Sequence, residues 1–262
     1  MIETPPDTTK HNFDFTAFMR EELEDKVLVK LPRIFGIDLS ITKDVLMMLI
    51  AAVIIVVFCH LAMRRRKPFP MPLSLQNILE TIAEFVENAA KPFLGEQVGR
   101  FMPFLLALFL FILVNNLMGV FPGASKATAN ISVTAGLAGL TFIVVQISGI
   151  RQHGLVGYLR HLVPPGVPKL LLPIMIPVEL LGMLTKPFAL AIRLFANMTA
   201  GHIVIAALIG LIFLLQSWFV VPLSVLGAVG VSLLEILIAF IQAYIFTLLS
   251  AVFIGLAIQE NH

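Results

Sequence analysis

Carboxylates almost vanish from the second half of this chain: after Phe101 the only acids are Glu179, Glu235 and Glu260. Charge of either sign is scarce throughout, at 13% of 262 residues, against roughly 25% in a soluble domain. Hydrophobic residues make up 58% and mean hydropathy is +0.96, so a solvated globular enzyme is excluded and an integral membrane protein is expected. Cysteine occurs once, at Cys59, which excludes an intrachain disulfide. There is no phosphate loop, no zinc-ligand spacing, no Gly-x-Ser-x-Gly element and no heptad array. No cofactor, no metal and no nucleic-acid partner are therefore expected. The first apolar run starts only at Val45, so a cleavable leader is not expected either.

What is present is a series of long apolar runs separated by unevenly charged segments. Residues 1–44 hold nine acids against six bases and read as a solvated tail. Val45–Met63 is long enough to cross ~30 Å of hydrocarbon, and it stops at Arg64-Arg65-Arg66-Lys67. By the positive-inside rule that basic run is cytoplasmic and the tail is outside. Within 64–100, Ser74–Lys91 carries Leu75, Ile78, Leu79, Ile82, Phe85, Val86 and Ala89 at helical spacing. Asn77, Glu80, Glu84, Glu87 and Asn88 occupy its other face, which predicts an amphipathic helix on the cytoplasmic side. Residues 101–150 read as a two-helix hairpin, with spans at Phe101–Met118 and Ile131–Ile150, and 151–169 as a cytoplasmic loop. The two loops assigned inside hold nine Lys and Arg, while 119–130 holds only Lys126. The C-terminus then falls in the cytoplasm.

The last part, 170–262, contains apolar runs at Leu170–Leu215 and Phe219–Ile258. As single helices they would be about 60–70 Å long, twice the hydrocarbon thickness. Each is either two spans or one long, strongly tilted helix in a hairpin through Gln216-Ser217-Trp218. The shortage of turn signals between Leu190 and Leu215 favours long helices. The fold class expected is an all-α membrane protein of about five membrane helices plus the amphipathic one.

Inside these runs lie a few costly polar residues. Arg193 cannot shed its charge, and a guanidinium at bilayer depth costs at least ~2.5–3.5 kcal/mol. At 100° per residue Glu179, Lys186 and Asn197 fall within ~40° of the Arg193 face, with Thr185 beside them. His202, nine positions on, faces away in an ideal helix. Glu235 and Gln242, seven apart, share a face of the last helix. An intramembrane carboxylate, imidazole and amide set suits a proton relay. Plainer readings exist for each residue. Glu179 and Lys186 could snorkel to headgroups, Asn197 and Gln242 could be interhelical glue, and Arg193 with Glu235 could be an internal salt bridge.

The segment from Pro177 through Glu179, Lys186-Pro187 and Arg193-Leu-Phe-Ala-Asn197-Met to Gly201-His202 resembles the subunit a family of F-type rotary ATP synthases. Glu235 with Gln242-Ala-Tyr-Ile-Phe, Asn115-Asn116-Leu-Met-Gly and Thr128-Ala-Asn130-Ile-Ser-Val-Thr134 extend the resemblance along the chain. Some relatives carry an acid in place of His202 and a histidine in place of Glu235, so the pair is exchanged here. The resemblance implies a non-catalytic stator subunit of the bacterial inner membrane, with c-ring proteolipids, peripheral-stalk b subunits and membrane lipid as partners. It implies a tilted helical hairpin against the c-ring, with Arg193 facing a ring carboxylate. Asn197, His202, Glu235 and Gln242 would line the outer half-channel, and Glu179 and Thr185 the exit. The alternative is a proton-coupled secondary transporter with a buried Arg/Glu/His relay, although no internal repeat of the kind such transporters show is visible.

Overall fold

The computed structural model describes residues 27–29, 40–64, 74–121, 127–161, 172–215 and 217–259. Most of the acidic tail, Arg65–Lys67, the segment 162–171 and residues 260–262 lie outside the described residues. A two-stranded antiparallel ribbon, β1 (Val27–Val29) with β2 (Ile41–Thr42), leads into α1 (Lys43–Met63). Then follow α2 (Leu75–Leu94), α3 (Val98–Met118), α4 (Ile131–His161), α5 (Leu172–Leu215) and α6 (Val220–Ile258). Apart from the ribbon the described chain is helical, and five helical units are long and apolar enough to cross a membrane. These are α1, α2 continued by α3, α4 as far as Gly154, α5 from Leu181, and α6.

Local chemistry sets the helix starts. Thr42 caps α1 by accepting from the Val45 N–H at 3.4 Å, and Ser74 caps α2 by accepting from the Asn77 N–H at 3.2 Å. The amphipathic pattern of α2 is realised: Leu79, Val86, Ala90 and Leu94 are buried, while Glu80, Glu84 and Glu87 are exposed. The apolar face packs on α3 and α6, where Phe85 meets Phe109, Phe240 and Tyr244 with ring centroids 5.4–6.0 Å apart. Offset and tilted rings of this kind add to plain area burial.

α6 runs through the middle of the bundle and touches α2, α3, α4 and α5. Its inward face is small: Ala239, Ala243, Ser250 and Ala251 are fully buried, which lets neighbouring backbones come close without any hydrophobic drive from water. On the facing side α3 contributes Phe101, Leu105, Leu108, Phe109 and Ile112, all buried at helical spacing. α1 sits at the periphery against α2 and α3, with Leu49, Val53 and Val56 turned outward.

Both long C-terminal runs are single helices, of 44 residues in α5 and 39 in α6. At 1.5 Å per residue they measure about 66 and 58 Å, so neither fits ~30 Å of hydrocarbon unless it lies far from the membrane normal. α4 passes Ile150 without interruption and breaks at Gly154, whose φ of 70° favours glycine. The basic segment that follows the third span thus begins as helix rather than as open loop.

A candidate proton path across the last two helices

On α5 two faces separate cleanly. Leu190, Ala191, Leu194 and Met198 are buried against the bundle, whereas Thr185, Lys186, Ile192 and Arg193 are exposed on its outside. Arg193 therefore points away from its own chain, and among the described residues no carboxylate forms an ion pair with it. Asn197, one turn on, is half-buried at the edge between the faces. Thr185 donates its hydroxyl to the Gly182 carbonyl at 2.9 Å. Glu179 falls about two turns into the helix, and its side chain lies outside the described part of the structure.

Glu235 occupies a different place. It is 4% exposed, on the buried face of α6 that also carries Gln242, at 7%. Its side chain lies against Gly201 of α5: a Cβ built there would overlap the carboxylate and stand 3.0 Å from Cδ and 3.1 Å from Cγ. Only a residue without a side chain leaves that space. Gly201 is eight positions beyond Arg193, about 12 Å along the axis, and His202 follows it directly, half-buried. The internal Arg193–Glu235 salt bridge is thereby removed as an explanation of the two charges. The acid and the imidazole belong to one level of the bundle and the arginine to another.

A second polar group lies at the end of the bundle where α1 and α4 begin. Asn130 donates its amide to Asp44 at 2.9 Å, and Thr128 donates its hydroxyl to Asn116 Oδ1 at 2.7 Å. Asp44, Asn116 and Thr128 are all buried, and Asn116 Nδ2 has no hydrogen-bond partner. The Thr199 hydroxyl contacts the Ala129 carbonyl at 3.5 Å, tying this cluster to α5 three residues before His202. None of Asp44, Asn116 or Thr128 stands out as a site residue in the sequence. The available signal was the polar pairs Asn115-Asn116 and Thr128-x-Asn130 at the ends of apolar spans, where lipid would offer no partner. No group of three metal-ligating side chains exists among the described residues.

The family model that describes the ATP synthase A chain matches residues 45–255. The chain belongs to the ATP synthase A chain family. It is 48% identical to ATP synthase subunit a of Chloroherpeton thalassium, covering 96% of this chain and 75% of that protein. With ATP synthase subunit a of Myxococcus xanthus it shares 44% identity across 100% of this chain and 90% of the relative. ATP synthase subunit a 2 of Chlorobaculum tepidum is 44% identical over 99% of this chain. As a member of this family, with five membrane-capable helices, the chain is a multi-pass membrane protein of the F0 sector and its work is proton transport in ATP synthesis.

Proposed function

We propose that this chain is the stator subunit that supplies two offset proton half-channels and the arginine between them. The observation that carries the reading is the separation on α5: Arg193 is exposed on the outer face while Glu235 is buried against Gly201 one level away. A guanidinium turned out of its own bundle at membrane depth needs a counter-charge from elsewhere, since an unmatched charge in hydrocarbon is prohibitively costly. A carboxylate carried by a rotating c-ring meets that need. The b subunits hold the chain against the ring from its other sides.

Protons would enter from outside through the cluster of Asp44, Asn116, Thr128 and Asn130, and pass by Asn197, His202, Glu235 and Gln242 to the ring. They would leave to the cytoplasm along the face bearing Glu179 and Thr185. An imidazole and a carboxylate on one level of the bundle, with the Asn197 and Gln242 amides on the same two helices, supply the group types a proton relay needs. Arg193 blocks a direct leak between the two routes and keeps each arriving ring carboxylate ionised. The membrane potential then contributes about 2.3 kcal/mol per proton per 100 mV to turning the ring. The chain itself makes no ATP. The bacterial sources of the relatives named above support an inner-membrane location, and charge asymmetry supports an N-terminus outside and a C-terminus inside.

ATP-driven proton pumping in inverted membrane vesicles tests the assignment. Arg193→Ala should abolish pumping, because among the described residues no other arginine or lysine occupies that level of α5. Arg193→Lys should fail too, since an ammonium lacks the forked, permanently charged head. Full coupling in the lysine variant would sink the proposal.

A further inference from the structure

A cavity of about 270 Å³ lies between the C-terminal ends of α4 and α6 and the part of α5 around Lys186-Pro187. α4 supplies one wall by doubling back. The break at Gly154 returns the following turn so that the Tyr158 ring packs on Gly149 and its hydroxyl donates to Gln146 Oε1 at 2.6 Å. The Gln146 amide keeps its NH₂ as a donor. Thr141, buried on the same wall, donates to the Leu137 carbonyl at 3.1 Å, and its hydroxyl oxygen can still accept. On the α5 side Lys186 lies with Nζ 5.6 Å from the centre of the Phe253 ring, drawn there by the attraction of a cation for a π face. Pro187 has no N–H, so the Met183 carbonyl one turn back receives no bond from it, and both residues line the cavity.

Such a space suits water. A water occupies ~30 Å³ in the liquid and needs two to four polar partners, so there is room and bonding for several. Ordered water is also one of the usual ways in which a carbonyl freed by proline in a membrane helix is satisfied. The position of the cavity ties it to the exit route. Lys186 follows Thr185 directly and shares the outer face of α5 with Arg193, seven residues on and about 10 Å along the axis. The other walls belong to the ends of α4 and α6 that lead into segments which charge assigns to the cytoplasm.

Resting on the two-route reading above, we infer that this cavity is a water-filled chamber of the exit route, whose α4 wall of Thr141, Gln146 and Tyr158 joins the face bearing Thr185 to the cytoplasm. Among the described residues no carboxylate and no imidazole lines it. A crossing proton therefore rides on the waters and is not held, since the ammonium is already protonated and the amide, phenol and hydroxyl are weak bases. The charge of Lys186 disfavours a proton that lingers beside it, which promotes release.

Silver ion tests this in inverted vesicles that carry the intact ATP synthase complex with its cytoplasmic face outward, in a Cys59→Ala background. ATP-driven pumping then draws protons through the chamber in reverse. Added silver should slow Thr141→Cys and Ala257→Cys, both at the cavity wall, about ten-fold. It should leave Leu140→Cys, on the exposed side of α4, unaffected. The two wall cysteines are close in size to the residues they replace and come from different helices, and assembly is read from the subunits that co-purify. Unchanged pumping in silver by either assembled wall variant would overturn the chamber, as would a block that appears only when silver is sealed inside the vesicles. A dry cavity leaves the role of Arg193 standing, because that role is read without silver. Full coupling in Arg193→Lys would remove the two-route reading, while loss of free thiol at 141 and 257 would still report whether water fills the cavity.

Discussion

At the scale of single residues, Gly201 matters to the proposed outer route as much as Glu235, the acid it makes room for. The Glu235 carboxylate rests where a side chain would begin, so Gly201→Ala must push a buried acid out of its place beside His202. We expect proton conduction to fall at least ten-fold in that variant, with the complex still assembled. Wild-type rates would show that the position of Glu235 is unimportant. Replacing either His202 or Glu235 by an apolar residue should also slow transport strongly, measured in the same vesicles. Thr128→Val tests the outer cluster by a different property. It strips Asn116 of its one recorded partner while leaving the amide buried, which should cost about 1–3 kcal/mol in a denaturant titration of the detergent-solubilised protein.

At the scale of elements, α6 has two faces with different duties. Glu235, Gln242, Thr247 and Ser250 point into the bundle, and Leu233, Leu234 and Leu237 point out. Cysteines placed at 235 and 242, and at 197 and 202 on α5, should react with silver ion through water in the path. A cysteine at Leu237 should not, because that face meets lipid or the ring. Uniform protection at the four inward positions would mean that these residues are interhelical glue. The pairing of Glu235 with Gln242 was legible in the sequence, since a spacing of seven keeps two residues on one face of any helix. The same geometry placed His202 opposite Arg193. Asp44 and Asn130 were not legible as a pair, because their hydrogen bond joins residues 86 apart and no local period reports it.

At the scale of the whole molecule, the proposed orientation rests on charge. Nine basic residues in the segments 64–100 and 151–169, against one in 119–130, bias insertion by the energetics of translocation alone. In sealed right-side-out vesicles a membrane-impermeant thiol reagent should label a cysteine at residue 10 and spare those at 66, 155 and 261. Labelling at 261 with protection at 10 would invert the topology and exchange the sides of the two half-channels. The same segments flank the described helices, so the result also tells which end of α5 would carry the proposed exit route.

The sequence by itself determined the class of molecule and the amphipathic α2, and it favoured long C-terminal helices, which the structure then decided against the alternative of four shorter spans. These depend on composition and on helical period, which are local properties. It also marked Arg193, Glu235 and Gln242, because polar atoms stand out where lipid offers no hydrogen bond. Tertiary structure alone decided which charges meet. Whether Arg193 neutralises Glu235 depends on how α5 and α6 lie against each other, and their packing puts the carboxylate on Gly201 and leaves the guanidinium facing out. The cluster around Asn116 likewise exists only where several helix ends converge. Contacts of that kind join residues far apart in the chain, and no window of sequence contains them.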